Sequence, residues 1–173
     1  MGPQLGAVAH DDHVGVPRPD RSRIEFFAAS HAHVGRIANR MREIDQAECA
    51  AFGRSPKQAL RLGLIGSSFA VTAMLDGSPH AMFGVTPANS LEGIGRPWFL
   101  GSDAVLSCAR PLLEIGPGVI ALMHRRFGRL ENLVSVRNER AIRLLKRWGF
   151  IVEADALPIN GEAMLPFWRV NDV

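Results

Sequence analysis

Apolar residues recur at two spacings along this chain, and each spacing indicates a different element. Between residues 34 and 44 they fall three or four apart, which is the spacing of an amphipathic helix. Between residues 69 and 75 they alternate with smaller or polar residues, which predicts a strand. The Asp-Gly pair at 76–77 then predicts a tight turn into a second strand over 80–85. The pattern therefore mixes helices with antiparallel strands.

Capping residues divide the first third of the chain. A short apolar strand is expected from Ile24 to Ala28, and Ser30 is placed to cap one helix that ends at Gly53. The run 55–58 has the Ser, Pro and Gln of a capping box, which predicts a second helix as far as Gly66.

The middle of the chain is broken up by glycine and proline. We expect a loop over 87–96 and a third strand at 98–100. Ser102 or Asp103 then begins a helix that Pro111 kinks or ends, with the Gly-Pro-Gly run 116–118 separating a further helical piece.

The last third predicts strand, helix and hairpin. A short strand at 133–136 leads to Asn138, which caps a helix with one apolar and one basic face, ended by Gly149. Two closing strands, at 150–156 and 164–170, are joined through an Asn-Gly turn.

Length and composition favour one folded domain. The chain has 173 residues, 47% of them hydrophobic and 21% charged, with a net charge of +3. Residues 1–22 lack periodicity and are interpreted as a flexible arm, leaving 23–173 as the domain. No apolar run approaches the roughly 18 residues that span a bilayer, so no membrane contact is expected. The two cysteines are expected to be buried and reduced, and no metal site is predicted.

A basic stretch covers residues 125–147, where six arginines precede Lys146 and Arg147. Within it, Arg140, Arg143 and Arg147 share one face of the predicted helix. Such a face can contact phosphates, for example those of DNA. The alternative is an ordinary solvated helix face.

The stretch from Asn138 to Phe150 carries a family resemblance. It matches Asn-x-x-Ala-x-x-Leu-Tyr-x-x-x-Gly-Phe, with Leu145 at the Tyr position, and so resembles the GNAT acyltransferases. The order of predicted elements is similar as well. The resemblance implies an α+β, GNAT-like fold, with a central mixed, mostly antiparallel sheet flanked by helices.

A second resemblance is to the internal virion protein of short-tailed bacteriophages. It rests on Asp-Gly-Ser-Pro-His-Ala-Met-Phe-Gly-Val at 76–85 and Pro-Trp-Phe-Leu-Gly at 97–101. It implies a viral protein located in the host cytoplasm during assembly, with the virion as a second location and other phage structural proteins as partners.

The GNAT resemblance places coenzyme A near Gly101, Ser102 and Asn138. The family's glycine loop for the diphosphate is missing, and Asp103 is expected at the helix cap, with a negative charge where phosphates would lie. Leu145 stands where many relatives have the acid that protonates the leaving thiolate, and the chain contains no Tyr. These two gaps predict that no cofactor binds.

Four residues are candidates for a general base: Glu43, Asp45, Glu48 and His80. The alternative for the carboxylates is a solvated helix face, and for His80 it is an ordinary strand position.

Three functions follow from these observations. The first is a catalytically degenerate virion or head-assembly protein on a GNAT-like scaffold, using the arm and the basic stretch for contacts. The alternative is an active N-acyltransferase that uses acetyl-CoA. A third is a module that binds DNA phosphates through the basic helix.

Overall fold

One mixed sheet runs through the computed structural model, which describes residues 24–171. Its strands are ordered β1-β2-β3-β4-β5-β8-β6, with β7 also paired to β8. All pairs are antiparallel except β4 with β5. The bounds are β1 Ile24–Ala28, β2 Phe69–Leu75, β3 Ser78–Asn89, β4 Ile94–Gly101, β5 Arg129–Ser135, β6 Ile151–Val152, β7 Leu157–Ile159 and β8 Glu162–Val170.

Helices cover both faces of this sheet, which confirms the predicted α+β class. Their bounds are α1 His31–Asn39, α2 Glu43–Ala51, α3 Pro56–Gly66, α4 Asp103–Ser107, α5 Ala109–His124 and α6 Glu139–Arg147. On one face, Ile37 of α1 and Leu60 of α3 pack with Met82 in a buried cluster. On the other, Ile120 of α5 packs in a larger cluster that includes Phe83.

The helix predicted between Ser30 and Gly53 is two helices, which corrects the sequence-based expectation. Ser30 caps α1 as predicted, but the chain leaves the helical conformation at Arg42, whose ψ is 145°. There the Arg42 N–H donates to the Gly101 carbonyl at 3.0 Å. The break therefore fastens the start of α2 to the end of β4.

The helix that Ser102 begins ends at Ser107, four residues before Pro111, as expected for a proline that ends a helix. The prediction that the Gly-Pro-Gly run 116–118 separates a further helical piece is wrong. Pro111 is the third residue of α5, within the first turn, where an N–H has no partner inside the helix. Pro117 lies inside α5, which continues to His124. Leu112 before it and Ile120 after it are both buried, so packing on both sides keeps the helix continuous.

Other boundaries are confirmed or shifted. The capping box at 55–58 is present, Asn138 caps α6, and the Asn-Gly turn at 160–161 joins β7 to β8. The loop predicted over 87–96 shrinks to 90–93 because β3 and β4 extend into it. The strand predicted over 150–156 survives only at its start, as the two-residue β6.

Two of the expected features concern the whole chain. No helix in the described part is long and apolar enough to span a bilayer. Both cysteines are free, with Cys49 buried and Cys108 half-buried. The predicted arm 1–22 lies outside the described residues.

Candidate functional site

The central feature is a gap between β4 and β5. These parallel strands pair only at Ile94 with Arg129 and at Gly95 with Leu130, and beyond that point no ladder joins them. The next β4 residue whose backbone faces β5 is Pro97, because strand residues alternate in direction. Proline has no N–H to donate, so the ladder stops there. The sequence itself thus opens the sheet.

Asn132 bridges the narrow end of this gap. Its Nδ2 donates to the Pro97 carbonyl at 2.8 Å, and its Oδ1 accepts from the Leu133 N–H at 2.9 Å. One side chain therefore satisfies backbone groups on both separated strands. This contact fixes where the opening begins.

A cavity of roughly 850 Å³ runs through the gap. On the side of α2 and α3 its wall includes Glu48, Phe52, Leu62, Trp98 and Leu133. On the side of α5 and α6 it is lined mainly by apolar residues: Leu112, Ile115, Gly116, Val119, Ala141, Leu144, Leu145 and Trp148. This single cavity therefore has a part on each face of the sheet, the α2–α3 chamber and the α5–α6 chamber, which join where the strands part.

The first turn of α2 closes the wide end of the gap. The Asp45 carboxylate accepts from Arg42 Nη2 at 2.5 Å, from Arg42 Nε at 3.2 Å and from the Gly101 N–H at 3.0 Å. Asp45 has no exposed surface. Burial raises the pKa of Asp45, while Arg42 and the Gly101 N–H act against that rise. All of its partners belong to the protein, so this carboxylate is structural.

Glu48 lies one turn further along α2 and lines the cavity. Its Oε1 accepts from the Ser135 N–H at 2.8 Å and from Asn138 Nδ2 at 3.0 Å. Burial raises the pKa of Glu48, and those two hydrogen bonds only partly offset the rise. A carboxylate held through one oxygen, with a raised pKa and a face on a cavity, is suited to accept a proton near neutral pH.

Arg42 and Asn138 connect these two carboxylates. Arg42 Nη1 donates to Asn138 Oδ1 at 3.3 Å, and that same oxygen caps α6 by accepting from the Ala141 N–H. The network joins α2 to the ends of β4 and β5 and to the start of α6. It therefore fixes the orientation of Glu48 relative to both separated strands.

His80 belongs to a different group of contacts. Its Nε2 lies 2.7 Å from Arg40 Nη1, and its Nδ1 lies 2.7 Å from Ser102 Oγ. Since Arg40 can only donate, His80 Nε2 accepts and Nδ1 carries the proton. Burial, followed by the charge of Arg40, lowers the pKa of His80. His80 is thus a neutral donor that positions Ser102.

The predicted base candidates separate clearly. Glu43 is exposed on α2, Asp45 is enclosed by protein, and His80 donates toward Ser102. Glu48 is the candidate that the structure places on the cavity.

The predicted cofactor contacts are occupied within the protein. Gly101 bonds with α2 through both its N–H and its carbonyl. Ser102 is the cap of α4, accepting from the Val105 N–H, which corrects the expectation that Asp103 occupies the cap. Asp103 is exposed instead and lies 3.6 Å from Arg140. Asn138 is held by Glu48 and Arg42.

Part of the basic stretch is paired with carboxylates. Arg137 binds Glu162 at 2.6 Å, and Arg143 lies 3.4 Å from Glu139. Contact of Arg140, Arg143 and Arg147 with phosphates stays a prediction. Within residues 24–171 no cluster of three or more His, Cys, Asp or Glu side chains is placed to hold a metal ion.

Sequence reasoning missed Arg42, Pro97, Asn132 and the Trp148 indole. A proline in the middle of a strand was a usable signal, since it predicts a missing ladder bond. Arg42 three residues before Asp45 was another, because such pairs share a helix face. Trp148 Nε1 is buried without a hydrogen-bond partner among the described residues, directly against Gly116. Nothing in the sequence indicated that.

Comparison with known proteins finds likeness in structure. Models of known families give no match, and curated protein sequences give none either. Among solved structures, ribosomal-protein-S5-alanine acetyltransferase from Vibrio fischeri aligns with a TM-score of 0.58 and 16% identity, over 86% of this chain and 93% of that one. Ard1 from Thermoplasma volcanium gives 0.62 and 14%, over 85% and 97%.

A third match is AAC(6')-Ib in complex with ribostamycin and coenzyme A, with a TM-score of 0.62 and 14% identity over 85% of this chain and 93% of that one. The expectation of a catalytically degenerate phage virion protein is wrong, because the similar structures include acetyltransferases, and AAC(6')-Ib is in complex with coenzyme A. No finding supports the phage resemblance or the expectation that no cofactor binds. The predicted architecture is confirmed: the chain has the GNAT acetyltransferase fold.

Proposed function

We propose that this protein is an N-acyltransferase that uses acetyl-CoA, with Glu48 as its general base. The observation that carries the proposal is the position of Glu48, a carboxylate of raised pKa on the wall of a cavity that runs between two separated strands. A transferase of this kind needs one chamber for an activated acyl group, one for an amine, and a base where they meet.

The chamber between α5 and α6 fits the thiol arm of coenzyme A. Its wall is apolar, which suits the hydrocarbon part of the arm, and Gly116 lets the Trp148 indole pack directly on α5, where a Cβ would lie 1.9 Å from Trp148 Nε1. Arg140, which lies 3.6 Å from Asp103 at the start of α4, is a candidate cation for the diphosphate. The coenzyme supplies an acyl group activated as a thioester.

The backbone N–H of Phe99 provides the hydrogen bond to the carbonyl oxygen of the acyl group. Along β4 the backbone groups of residues 97, 99 and 101 face the gap, because strand residues alternate in direction. Pro97 lacks an N–H, and Gly101 donates to Asp45. The Phe99 N–H is therefore the donor that points into the opening, and it polarises a carbonyl oxygen placed there.

Glu48 provides the proton acceptor. An amine that enters from the side of α2 and α3 meets this carboxylate at the floor of the cavity. Because Ser135 and Asn138 hold Oε1, Oε2 is the oxygen that faces the substrate. Leu145, which also lines the cavity, cannot supply a proton, so the sulfur departs as the thiolate of coenzyme A and takes its proton from solvent.

Calorimetric titration of the purified full chain with acetyl-CoA tests cofactor binding. We expect a dissociation constant on the order of 1–100 µM, equivalent to about 5–8 kcal/mol. Release of free thiol on addition of a primary amine then tests transfer. If acetyl-CoA binds but no amine in a panel is acylated, Glu48 is rejected as a base. If no heat of binding is measured at millimolar acetyl-CoA, the whole proposal is rejected.

A further inference from the structure

The acceptor chamber has a charge balance that points to a class of amine. Its wall carries four arginines and two glutamates: Arg42, Arg54, Arg96, Arg129, Glu48 and Glu131. Some of these charged groups are already neutralised by an ion pair with another side chain. The net charge that an incoming amine meets therefore depends on the groups that form no ion pair.

Two of the four arginines are neutralised. Arg42 is paired with Asp45 in the buried network. Arg129 lies 2.6 Å from Glu131, and its guanidinium stacks 4.6 Å from the centre of the Trp168 ring. Glu153, which is exposed, accepts from Trp168 Nε1 just outside the chamber. These groups leave little net charge on the β5 and β8 side.

Arg54 and Arg96 remain. Both are exposed and line the chamber, Arg54 from the α2–α3 connection and Arg96 from β4. Neither forms an ion pair within residues 24–171. Glu48 is the one unpaired carboxylate of the wall, and the Ser135 N–H and Asn138 Nδ2 already donate to it. The chamber therefore carries two unpaired guanidinium groups, one on the α2–α3 connection and one on β4.

The rim of the chamber is apolar. Phe52 is 46% exposed and Leu62 is 51% exposed, and both line the entrance with Leu157 of β7. Exposed apolar side chains around a pocket favour a ligand with an apolar group near its reacting atom. A ligand with several ammonium groups would instead meet two unpaired guanidinium groups.

We propose that the acceptor is an amine next to an apolar group and to one or more anionic groups. An example is the α-amine of a hydrophobic first residue that is followed by acidic residues. This inference rests on the proposed acyl transfer. Glu48 takes the amine proton, the rim of Phe52 and Leu62 covers the apolar group, and Arg54 and Arg96 contact the anions. Polycationic amines are poor acceptors for the same reason.

Three peptides of equal length test this. They begin Leu-Asp-Asp, Leu-Ala-Ala and Leu-Lys-Lys and are otherwise identical. We measure thiol release with acetyl-CoA and, separately, binding of each peptide by calorimetry. We expect kcat/KM and affinity to be highest for the acidic peptide, lower for the neutral peptide and lowest for the basic peptide. At low salt each arginine should contribute roughly three- to fivefold to the difference between the acidic and neutral peptides. The differences should be smaller at high salt.

Variants locate the effect. Arg54→Gln and Arg96→Gln each reduce the preference for the acidic peptide over the neutral peptide, and together they abolish it. Arg61→Gln is the matched control, since Arg61 is exposed on α3 and does not line the chamber.

An equal or reversed order, with turnover present, overturns the acceptor class but not the transferase. Binding of acetyl-CoA without turnover on any peptide counts against the transferase, and the order of peptide affinities then still decides the acceptor class. A preference that survives in the double variant also overturns the assignment to Arg54 and Arg96.

Discussion

Two successive turns of α2 each carry a carboxylate, and they have opposite roles. In the first turn, Asp45 is fully enclosed and bonds to Arg42 and to the Gly101 N–H. In the second, Glu48 uses one oxygen for Ser135 and Asn138 and turns the rest of the group toward the cavity. A carboxylate whose partners are all internal fixes architecture, whereas one left partly unpartnered beside a cavity is available for chemistry.

Removing the charge of Glu48 should produce the largest effect on activity. Glu48→Gln keeps an oxygen that accepts from Ser135 and Asn138 but cannot take a proton, so we expect kcat to fall by about 10²–10⁴-fold. Thiol release measured at saturating acetyl-CoA checks this. Glu43→Gln, on the exposed side of the same helix, should leave kcat unchanged, and a fall of less than about tenfold in Glu48→Gln would remove Glu48 from the mechanism.

Removing the charge of Asp45 should act on stability instead. Asp45→Asn leaves the buried Arg42 guanidinium without its anion, and breaking such a pair typically costs about 3–5 kcal/mol. Urea denaturation monitored by tryptophan fluorescence measures the free energy of unfolding. Glu43→Gln again serves as the control. A cost below about 1 kcal/mol would mean that the first turn of α2 is not fastened to β4 as described.

The raised pKa of Glu48 gives a pH dependence whose sign can be stated. A group that binds its proton more tightly in the folded state contributes stability at low pH and loses that contribution as pH rises through the folded pKa. Glu48→Gln removes this loss, so the stability of the variant relative to the parent protein should increase as pH rises above 4.5. Urea titrations of both proteins between pH 4.5 and 8 give the difference, which isolates Glu48 from Asp45. A difference that is flat or that falls with pH would contradict the assignment.

The smallest effect is expected at the narrow end of the gap. Asn132→Ala removes the bridge and leaves the Pro97 carbonyl without its donor, which should cost about 1 kcal/mol of unfolding free energy. Asn132→Asp is an informative companion, because it can still accept from Leu133 but cannot donate to Pro97. If Asn132→Asp were as stable as the parent protein, the contact across the gap would be dispensable.

The fold was largely predictable because it depends on local patterns. The alternation over 69–75, the capping box at 55–58 and the Asn138 cap each correspond to an observed element. The break at Arg42 was not predictable from spacing, since its cause is the distant backbone of Gly101. Pro117 stays helical for a similar reason, because packing on both sides outweighs local preference.

The site was predictable only in part. Glu48 was one of four candidates, and sequence alone could not rank it above Asp45, since both lie on the same helix three residues apart. What distinguishes them is which partners β4, β5 and α6 bring near. The missing glycine loop and the missing Tyr are visible in the sequence and favour lost catalysis. The cavity is not visible there, because it forms where strands far apart in the chain separate.

Pro97 has a consequence for the cost of ligand binding. A sheet with an intact ladder would have to break hydrogen bonds before anything could enter between its strands. Here Pro97 has no N–H to donate across the gap, and Asn132 donates to the Pro97 carbonyl. An entering molecule therefore finds the strands already apart, and the free energy of its contacts can go into affinity and orientation.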